Sequence, residues 1–337
     1  MAELSYFWHG PVWRQLEAYL AQDRLPHALM LHGPRGIGKR HLAYALAERV
    51  LCEHGRACGR CPSCNLLTAG NHPDLLTLVP EPGKPLTVDR IRELIDALTL
   101  TPQYQRGRIV IIEAADRMNP AAANSFLKTL EEPAPDTVIL LLCEQPSLLP
   151  ATILSRCQRL QLTLPPLSEA EQWLVARNTP SGQARLALAL NGGAPLAAAA
   201  WLDSDAPQRR WRFLKTLEKL LAGQGDPVVL AGEWQDEPLE QLVDWLLTVA
   251  ADLVRLRYDD DGSLINTDCQ GWLQDWARRL DLRQVFHFWQ RLLNLRQALQ
   301  TQLNRTLLLE SLFLQIDRLR HEQTQIETGN PVLDHQG

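Results

Sequence analysis

The sequence predicts an α/β core built on a parallel five-stranded sheet, followed by two all-helical domains. From His27 to about Leu164, short apolar runs alternate with segments of helical periodicity, which is the order of elements in an open α/β domain. After Pro166 the strand signals fade, and leucines and tryptophans recur at helical spacing almost to the end. A glycine-rich segment between the first apolar run and the first helical segment predicts a core of the nucleotide-binding kind.

Five apolar runs are the predicted strands. Four of them are apolar on both faces, as expected for parallel strands covered by helices on each side, and the last alternates as an edge strand would. The runs are residues 28–31, 75–79, 109–112, 138–142 and 160–164. The helices predicted between them are residues 38–52, 87–100 and 120–132. Pro120 at the first position of the third helix and Pro133 after its end set its limits.

The charge balance argues against binding nucleic acid by bulk attraction. The 337 residues carry 34 Lys and Arg against 39 Asp and Glu, a net charge of −5. Neutralising phosphates needs a basic surface, so we expect any contact with DNA to be local or shared with a partner. No run approaches about 18 uninterrupted apolar residues, and the N-terminal segment lacks the basic and then apolar layout of an export signal. We therefore expect a cytoplasmic protein with no membrane contact.

The glycine-rich segment is a phosphate loop that has lost one residue of its motif. Gly33, Gly36, Gly38 and Lys39 have the G-x-x-x-x-G-K pattern, in which backbone N–H groups converge on phosphate oxygens and the lysine reaches the outer phosphates. The next residue should be Ser or Thr, whose hydroxyl holds Mg²⁺, but it is Arg40. We therefore expect weak or absent binding of ATP and Mg²⁺. A relic loop that keeps only the fold is the alternative.

The end of the third predicted strand is a second degenerate part of the nucleotide site. Glu113 could serve as the acid that holds the Mg²⁺ shell in a Walker B site. Ala114 stands where a base would polarise the attacking water, and Asp116 lies two residues further on. Because both a Mg²⁺ ligand and a base are missing, we predict little or no intrinsic ATP hydrolysis.

Four clustered cysteines predict a metal site. Cys52, Cys58, Cys61 and Cys64 are spaced C-x5-C-x2-C-x2-C, and four thiolates suit tetrahedral Zn²⁺ in a closed structural site. Three alternatives stay open: His54 could replace one sulfur, the cysteines could hold an iron–sulfur cluster, or they could be buried thiols without a metal.

Five blocks of sequence together carry a resemblance to a known family. The blocks are residues 33–39, 52–64, 122–133, 149–157 and 303–309. With the order of the domains, they resemble the bacterial clamp-loader subunits of the AAA+ superfamily over nearly the whole chain. The resemblance implies a pentameric ring of gamma or tau and delta subunits with this chain, which uses ATP to place the beta sliding clamp on primed DNA.

The resemblance also assigns a catalytic role to one arginine. In that family the arginine of a Ser-Arg-Cys motif reaches ATP held by the neighbouring subunit, and the matching residue here is Arg156. A planar guanidinium can neutralise charge on the transferring phosphoryl group. Without the resemblance, a lone arginine in a loop would be interpreted as a surface or salt-bridge residue.

The domain organisation follows from the same resemblance. Residues 1–165 are expected to form the AAA+ core with the zinc module at 52–64, and residues 166–206 a small helical lid. Residues 207–325 are expected to form a helical collar for oligomerisation, and residues 326–337 a flexible tail.

Departures from the active members of the family decide the predicted function. The usual sensor threonine is replaced within residues 143–145, and Leu196 stands where active members carry an arginine. Arg156 is kept all the same, so we predict a clamp-loader subunit that lacks ATPase activity and supplies this arginine in trans during DNA replication. The resemblance implies that the chain is part of a larger DNA polymerase complex with nucleotidyltransferase activity. Nothing in this chain itself resembles a polymerase site.

Three alternative functions stay open on the sequence alone. One is an ATP-hydrolysing clamp-loader subunit of the gamma or tau type, which Arg40 and Ala114 argue against. A phosphate-loop kinase would need a lid with contacts to an acceptor substrate. A zinc-dependent DNA-binding module would need a basic surface, for which Arg56 and Arg60 alone are weak support.

Overall fold

The chain folds into two compact units in a computed structural model. The structure describes residues 6–81, 83–104, 106–258, 264–299 and 304–328, with side chains as far as residue 319. One unit contains the described part of residues 1–169 together with residues 194–197, and the other contains residues 170–193 and the described residues from 198 onward. No helix in these described ranges is long and apolar enough to cross a membrane.

The first unit is built around a five-stranded parallel sheet. Its strands are β1 (Ala28–His32), β2 (Leu75–Leu78), β3 (Arg108–Ile112), β4 (Thr137–Cys143) and β5 (Gln158–Gln161). They lie in the order β2-β3-β4-β1-β5, and every pairing between neighbours is parallel. The predicted parallel five-stranded sheet is therefore confirmed.

Six helices surround the sheet in the described part of this unit. They are α1 (Gly10–Ala21), α2 (Lys39–Leu51), α3 (Pro62–Thr68), α4 (Val88–Leu98), α5 (Pro120–Glu131) and α6 (Ala151–Leu154). The three helices predicted between the strands correspond to α2, α4 and α5, each within two residues at either end. Asn119 caps α5 by accepting a hydrogen bond from the N–H of Ala122, and Pro120 begins it.

The edge strand β5 begins and ends earlier than the sequence predicts. The alternation of residues 160–164 suggested a strand there, whereas β5 occupies Gln158–Gln161 and pairs with β1. The last ladder bond runs from the N–H of Leu162 to the carbonyl of His32, 2.8 Å away. Beyond it β1 turns at Gly33, where a Cβ would lie 2.4 Å from the carbonyl oxygen of Leu162. The partner strand ends there, so β5 ends as well.

Helices packed on the sheet hold its strands in place, and the candidate site lies at the carboxyl ends of these strands. The residues of β3 and the central residues of β4 are fully buried. On one face Met30, Val110 and Leu141 pack with Phe126 of α5 and Ile91 of α4, while α2 contacts β1, β3 and β4. Because the strands are parallel, their carboxyl ends and the loops that follow them share one edge.

The second unit is helical throughout its described part. It contains α7 (Leu167–Val175), α8 (Ser181–Leu190), α9 (Pro195–Leu202), α10 (Ala206–Leu221), α11 (Pro227–Gly232), α12 (Leu239–Tyr258), α13 (Gln270–Arg279), α14 (Leu282–Ala298) and α15 (Arg305–Thr328), of which the first residues of α7 and α9 belong to the sheet unit. Apolar residues of α7 to α9 form one cluster and those of α10 to α15 another. The predicted boundaries at 166 and 207 stay predictions.

Two predictions near the C-terminus fall partly outside the described residues. Of the predicted tail 326–337, residues 329–337 lie outside them, and residues 326–328 continue helix α15. Of the block 303–309, Leu303 lies outside the described residues and residues 305–309 form the first turns of α15.

Candidate functional site

The phosphate loop links β1 to α2 in the strand–loop–helix arrangement that its motif requires. Helix α2 begins at Lys39, directly after Gly38. Gly36 has a φ of 75° and Gly38 a φ of 94°, which are left-handed conformations that glycine adopts without steric cost. The three glycines and Lys39 predicted to bind phosphate are therefore brought together in one turn.

The Lys39 ammonium points back into its own loop. Its Nζ donates hydrogen bonds to the carbonyl oxygens of Gly33 and Pro34, at 2.8 and 2.9 Å. Burial lowers the pKa of Lys39, although the nearby Glu144 and Asp116 raise it. A phosphate would have to replace both hydrogen bonds to the carbonyl oxygens. The net free energy that Lys39 could contribute to phosphate binding is therefore reduced.

Trp8 and His9, which the sequence analysis did not connect with the phosphate loop, contact it together with Leu196. The carbonyl oxygen of Ile37 accepts a hydrogen bond from Trp8 Nε1, and His9 Nε2 also lies 2.8 Å from it. The N–H of Leu196 donates to the carbonyl of Gly36 at 3.1 Å. The aromatic run at residues 6–9 was the available sequence signal, but its partner is 28 residues away.

Arg40 forms an ion pair with the acid that a Walker B site would use. Its Nε lies 3.1 Å from Glu113 Oε1, and the Glu113 side chain is only 18% exposed. The guanidinium therefore supplies positive charge to Glu113, as Mg²⁺ would in an active site. Ala114, next in the chain, has a left-handed φ of 48° and no group that could act as a base.

Asp116 has a structural role at the same edge. Its Oδ2 accepts hydrogen bonds from the N–H groups of Glu144 and Gln145, at 3.0 and 2.8 Å. These residues follow β4, in the segment where the sensor threonine is missing. The carboxylate thus fixes the loop after β4.

The four predicted cysteines form one cluster between α2 and α3. The Sγ atoms of Cys52 and Cys61 are 4.0 Å apart, and those of Cys58 and Cys64 are 3.9 Å apart. Tetrahedral zinc with bonds of about 2.3 Å places its sulfurs about 3.8 Å from one another, so each of these two pairs has the spacing that the ion requires. His54 also lies close, with Nδ1 3.5 Å from Cys58 Sγ.

The compactness of this cluster shows that it could hold a metal ion. The ligand atoms of Cys52, His54, Cys58 and Cys61 all lie within 4.8 Å of one another. Cys64 lies beside this group through its contact with Cys58, so both the four-cysteine set and the set with one histidine remain geometrically open.

Backbone N–H groups favour the thiolate form of Cys52. Burial alone would raise the pKa of Cys52, but N–H groups of the surrounding loop outweigh it and lower the pKa from 9.0 to about 5. The N–H of Cys58 donates to Cys52 Sγ at 3.4 Å, and the N–H of Cys64 donates to Cys61 Sγ at the same distance. Such bonds stabilise the anionic ligands that a metal requires.

Arg156 lies at the surface, directly after α6. A third of its side chain is exposed. Its Nη1 donates to the carbonyl oxygen of Thr152 at 2.9 Å and to Ser155 Oγ at 3.4 Å, and its Nη2 is paired with the carboxylate of Glu131. The guanidinium is therefore accessible from outside the chain while three local contacts hold it.

Comparisons with known proteins cover almost the whole chain. Family models described as "DNA polymerase III, delta subunit" and "DNA polymerase III, delta subunit, C terminal" match residues 8–166 and 204–318. DNA polymerase III subunit delta' of Pseudomonas aeruginosa is 38% identical over 94% of this chain and 98% of its own length. The corresponding subunit of Escherichia coli is 34% identical over 93% of this chain and 95% of its own. That of Haemophilus influenzae is 33% identical, covering 76% and 79%.

Replacing Gly36 by alanine tests the packing of the loop. A Cβ there would lie 2.3 Å from the Cβ of Ala197 and 2.8 Å from its backbone N, in addition to the strain of a left-handed alanine. We expect Gly36→Ala to lower the free energy of unfolding by about 2–5 kcal/mol in urea denaturation.

Gly70 is the matched control for this substitution. It has a similar φ of 72° and nothing within 4 Å of its Cβ position. We expect Gly70→Ala to cost only the strain, about 1–2 kcal/mol. Equal losses in the two variants would contradict the close packing of residues 194–197 on the loop.

Proposed function

Because this chain belongs to the delta-prime subunit family of DNA polymerase III, we propose that it is the clamp-loader subunit that hydrolyses no ATP itself and supplies Arg156 to a neighbour's ATP site. Its partners in this role are the gamma or tau and delta subunits of the ring. Through the assembled complex it helps to load the beta sliding clamp onto primed DNA during replication.

The exposed, pre-ordered guanidinium of Arg156 is the observation that carries this proposal. An arginine that acts in trans must be accessible at the surface and must lose little freedom when it meets the phosphates. Arg156 is one-third exposed and is held by Thr152, Ser155 and Glu131. The guanidinium would neutralise charge that develops on the transferring phosphoryl group. The ATP in this reaction is bound by the neighbouring subunit and not by this chain.

Three features of the chain's own phosphate loop support the absence of intrinsic ATPase activity. Arg40 forms an ion pair with Glu113, whose carboxylate would otherwise be available to the Mg²⁺ shell. Lys39 bonds to carbonyls of the loop, and Ala114 offers no base for the attacking water. These features argue against the alternative of an ATP-hydrolysing gamma or tau type of subunit.

Arg40→Thr is expected to restore part of the lost nucleotide binding. The substitution frees Glu113 and supplies the hydroxyl that Mg²⁺ prefers. We expect ATP affinity, measured by titration calorimetry, to rise at least about tenfold in Mg²⁺ relative to EDTA, with turnover still at background because Ala114 is unchanged.

Arg35→Thr is the control for charge, since Arg35 is an exposed arginine of the same loop. We expect no gain in Mg²⁺-dependent affinity from it. The role assigned to the Arg40–Glu113 pair would be refuted if Arg40→Thr bound ATP no better than the parent chain.

The same proposal includes a structural zinc ion held by Cys52, Cys58, Cys61 and Cys64. Two pairs of sulfurs at 3.9 and 4.0 Å support this set of ligands. When bound, zinc would supply a fixed tetrahedral link between the end of α2 and the start of α3, and would take no part in ATP chemistry. In this proposal the four cysteines are the ligands and His54 is not one of them.

Elemental analysis of purified variants tests the metal and its ligands. We expect about one zinc per chain, retained in His54→Ala and lost in Cys64→Ser, because a closed structural site needs all four ligands. Cys269→Ser is the control, since this thiol lies outside the cluster. Zinc lost from His54→Ala but retained in Cys64→Ser would replace the four-cysteine set by the one with histidine, and iron would point to a cluster instead.

Arg156→Ala tests the central role in the reassembled clamp loader. We expect a fall in ATP turnover with clamp and primed DNA present, because trans-acting arginines contribute about 10³-fold or more to the site that they serve. The number of subunits in the ring, measured by light scattering, should not change. Arg92→Ala removes an exposed arginine on α4 and should leave turnover as it was. Unchanged turnover in Arg156→Ala would remove the proposed function.

A further inference from the structure

We propose that Glu131 is the positioning residue for Arg156, and that its carboxylate keeps the guanidinium in the orientation from which it reaches a neighbour's ATP. This inference rests on the proposed function, since it assigns a role to a contact of the trans-acting arginine. Glu131 itself touches no nucleotide in this proposal and acts only through Arg156.

The contact between the two side chains joins two separate elements of the first unit. Glu131 is the last residue of α5, and Arg156 follows α6, 25 residues further along the chain. Glu131 Oε1 accepts a hydrogen bond from Arg156 Nη2. Helix α5 packs on α4 and on the buried face of the sheet, so the carboxylate is presented from a rigid element.

Helix stability does not explain a glutamate at this position. The carboxyl end of a helix carries partial negative charge, so a carboxylate in the last turn of α5 is unfavourable for the helix itself. Arg156 offsets this charge, and it also bonds to the carbonyl oxygen of Thr152 in α6. The guanidinium thus lies between two groups of negative character and is oriented by both.

The arrangement leaves part of the guanidinium available. Nη1 is used by Thr152 and Ser155, and one hydrogen of Nη2 by Glu131. An arginine carries five N–H donors, so the Nε–H and the second Nη2 hydrogen have no partner among the described residues and remain for an incoming phosphate oxygen. Because the side chain is already ordered, less rotamer freedom is lost when these donors meet the phosphate.

Two opposite effects of the carboxylate can be separated by substitution. Glu131 orders the guanidinium, which favours transfer, but it also reduces the positive charge felt by the phosphate, which opposes transfer. Glu131→Ala removes both effects, whereas Glu131→Gln keeps a hydrogen-bond acceptor and removes only the charge. The proposal requires ordering to be the larger effect.

Steady-state ATP turnover by the reassembled clamp loader, with clamp and primed DNA, is the measurement. We expect Glu131→Ala to lower kcat at least about threefold with KM for ATP unchanged, since ATP is bound by the neighbour. Glu131→Gln should keep kcat at the parent value or above it, since the acceptor is retained and the opposing charge is removed. Glu132→Ala, which removes the adjacent exposed glutamate, is the control and should have no effect.

A double-mutant cycle distinguishes positioning from a general structural role. If Glu131 acts only through Arg156, Glu131→Ala should cause no further loss of kcat in the Arg156→Ala background. Equal losses in both backgrounds would overturn the inference, as would a rise of kcat in Glu131→Ala, which would make Glu131 a competitor for the arginine. If Glu131→Ala keeps full turnover while Arg156→Ala turns over slowly, only the inference about Glu131 is overturned and the proposed function stands. Full turnover in Arg156→Ala overturns the proposed function with it.

Discussion

A guanidinium paired with a carboxylate determines the chemistry at the edge of the sheet. Arg40 stands where a hydroxyl would hold Mg²⁺, and its Nε lies 3.1 Å from Glu113. An internal cation of this kind is always present, so Glu113 is not available to a metal ion without competition. Lys39 is likewise bonded within its own loop. The phosphate loop therefore keeps the geometry of its fold, while Arg40 pairs with Glu113 and Lys39 bonds to carbonyl oxygens of the loop itself.

A second arginine of the same unit, Arg156, has different surroundings. Arg40 is paired with the acid that follows β3, whereas Arg156, with a third of its side chain exposed, keeps N–H donors that have no partner among the described residues. Both are held by a glutamate, but Glu113 directly follows a buried strand, whereas Glu131 is the last residue of an amphipathic helix. One ion pair occupies the acid beside the phosphate loop, and the other holds a guanidinium that is one-third exposed at the surface.

Local patterns were sufficient for the elements of the core and for the cysteine cluster. Apolar runs with helical segments between them predicted the strands because burial on both faces leaves a continuous apolar signal. Cys58, Cys61 and Cys64 are close in the chain, so their spacing alone restricts where the sulfurs can lie. The edge strand β5 was displaced from its pattern, because its length depends on where β1 turns at Gly33.

Contacts between distant segments could not be inferred from pattern in the same way. The degenerate motifs at Arg40 and Ala114 were evident from residue type, since a Mg²⁺ ligand or a base is either present or absent at a given position. Arg40 pairs with Glu113 because the sheet brings their two loops to one edge. Arg156 pairs with Glu131 because α5 packs beside α6. Residue types therefore showed which groups of the motifs are missing. The folded arrangement decided what the remaining charges do, because their partners are neighbours in space and not in sequence.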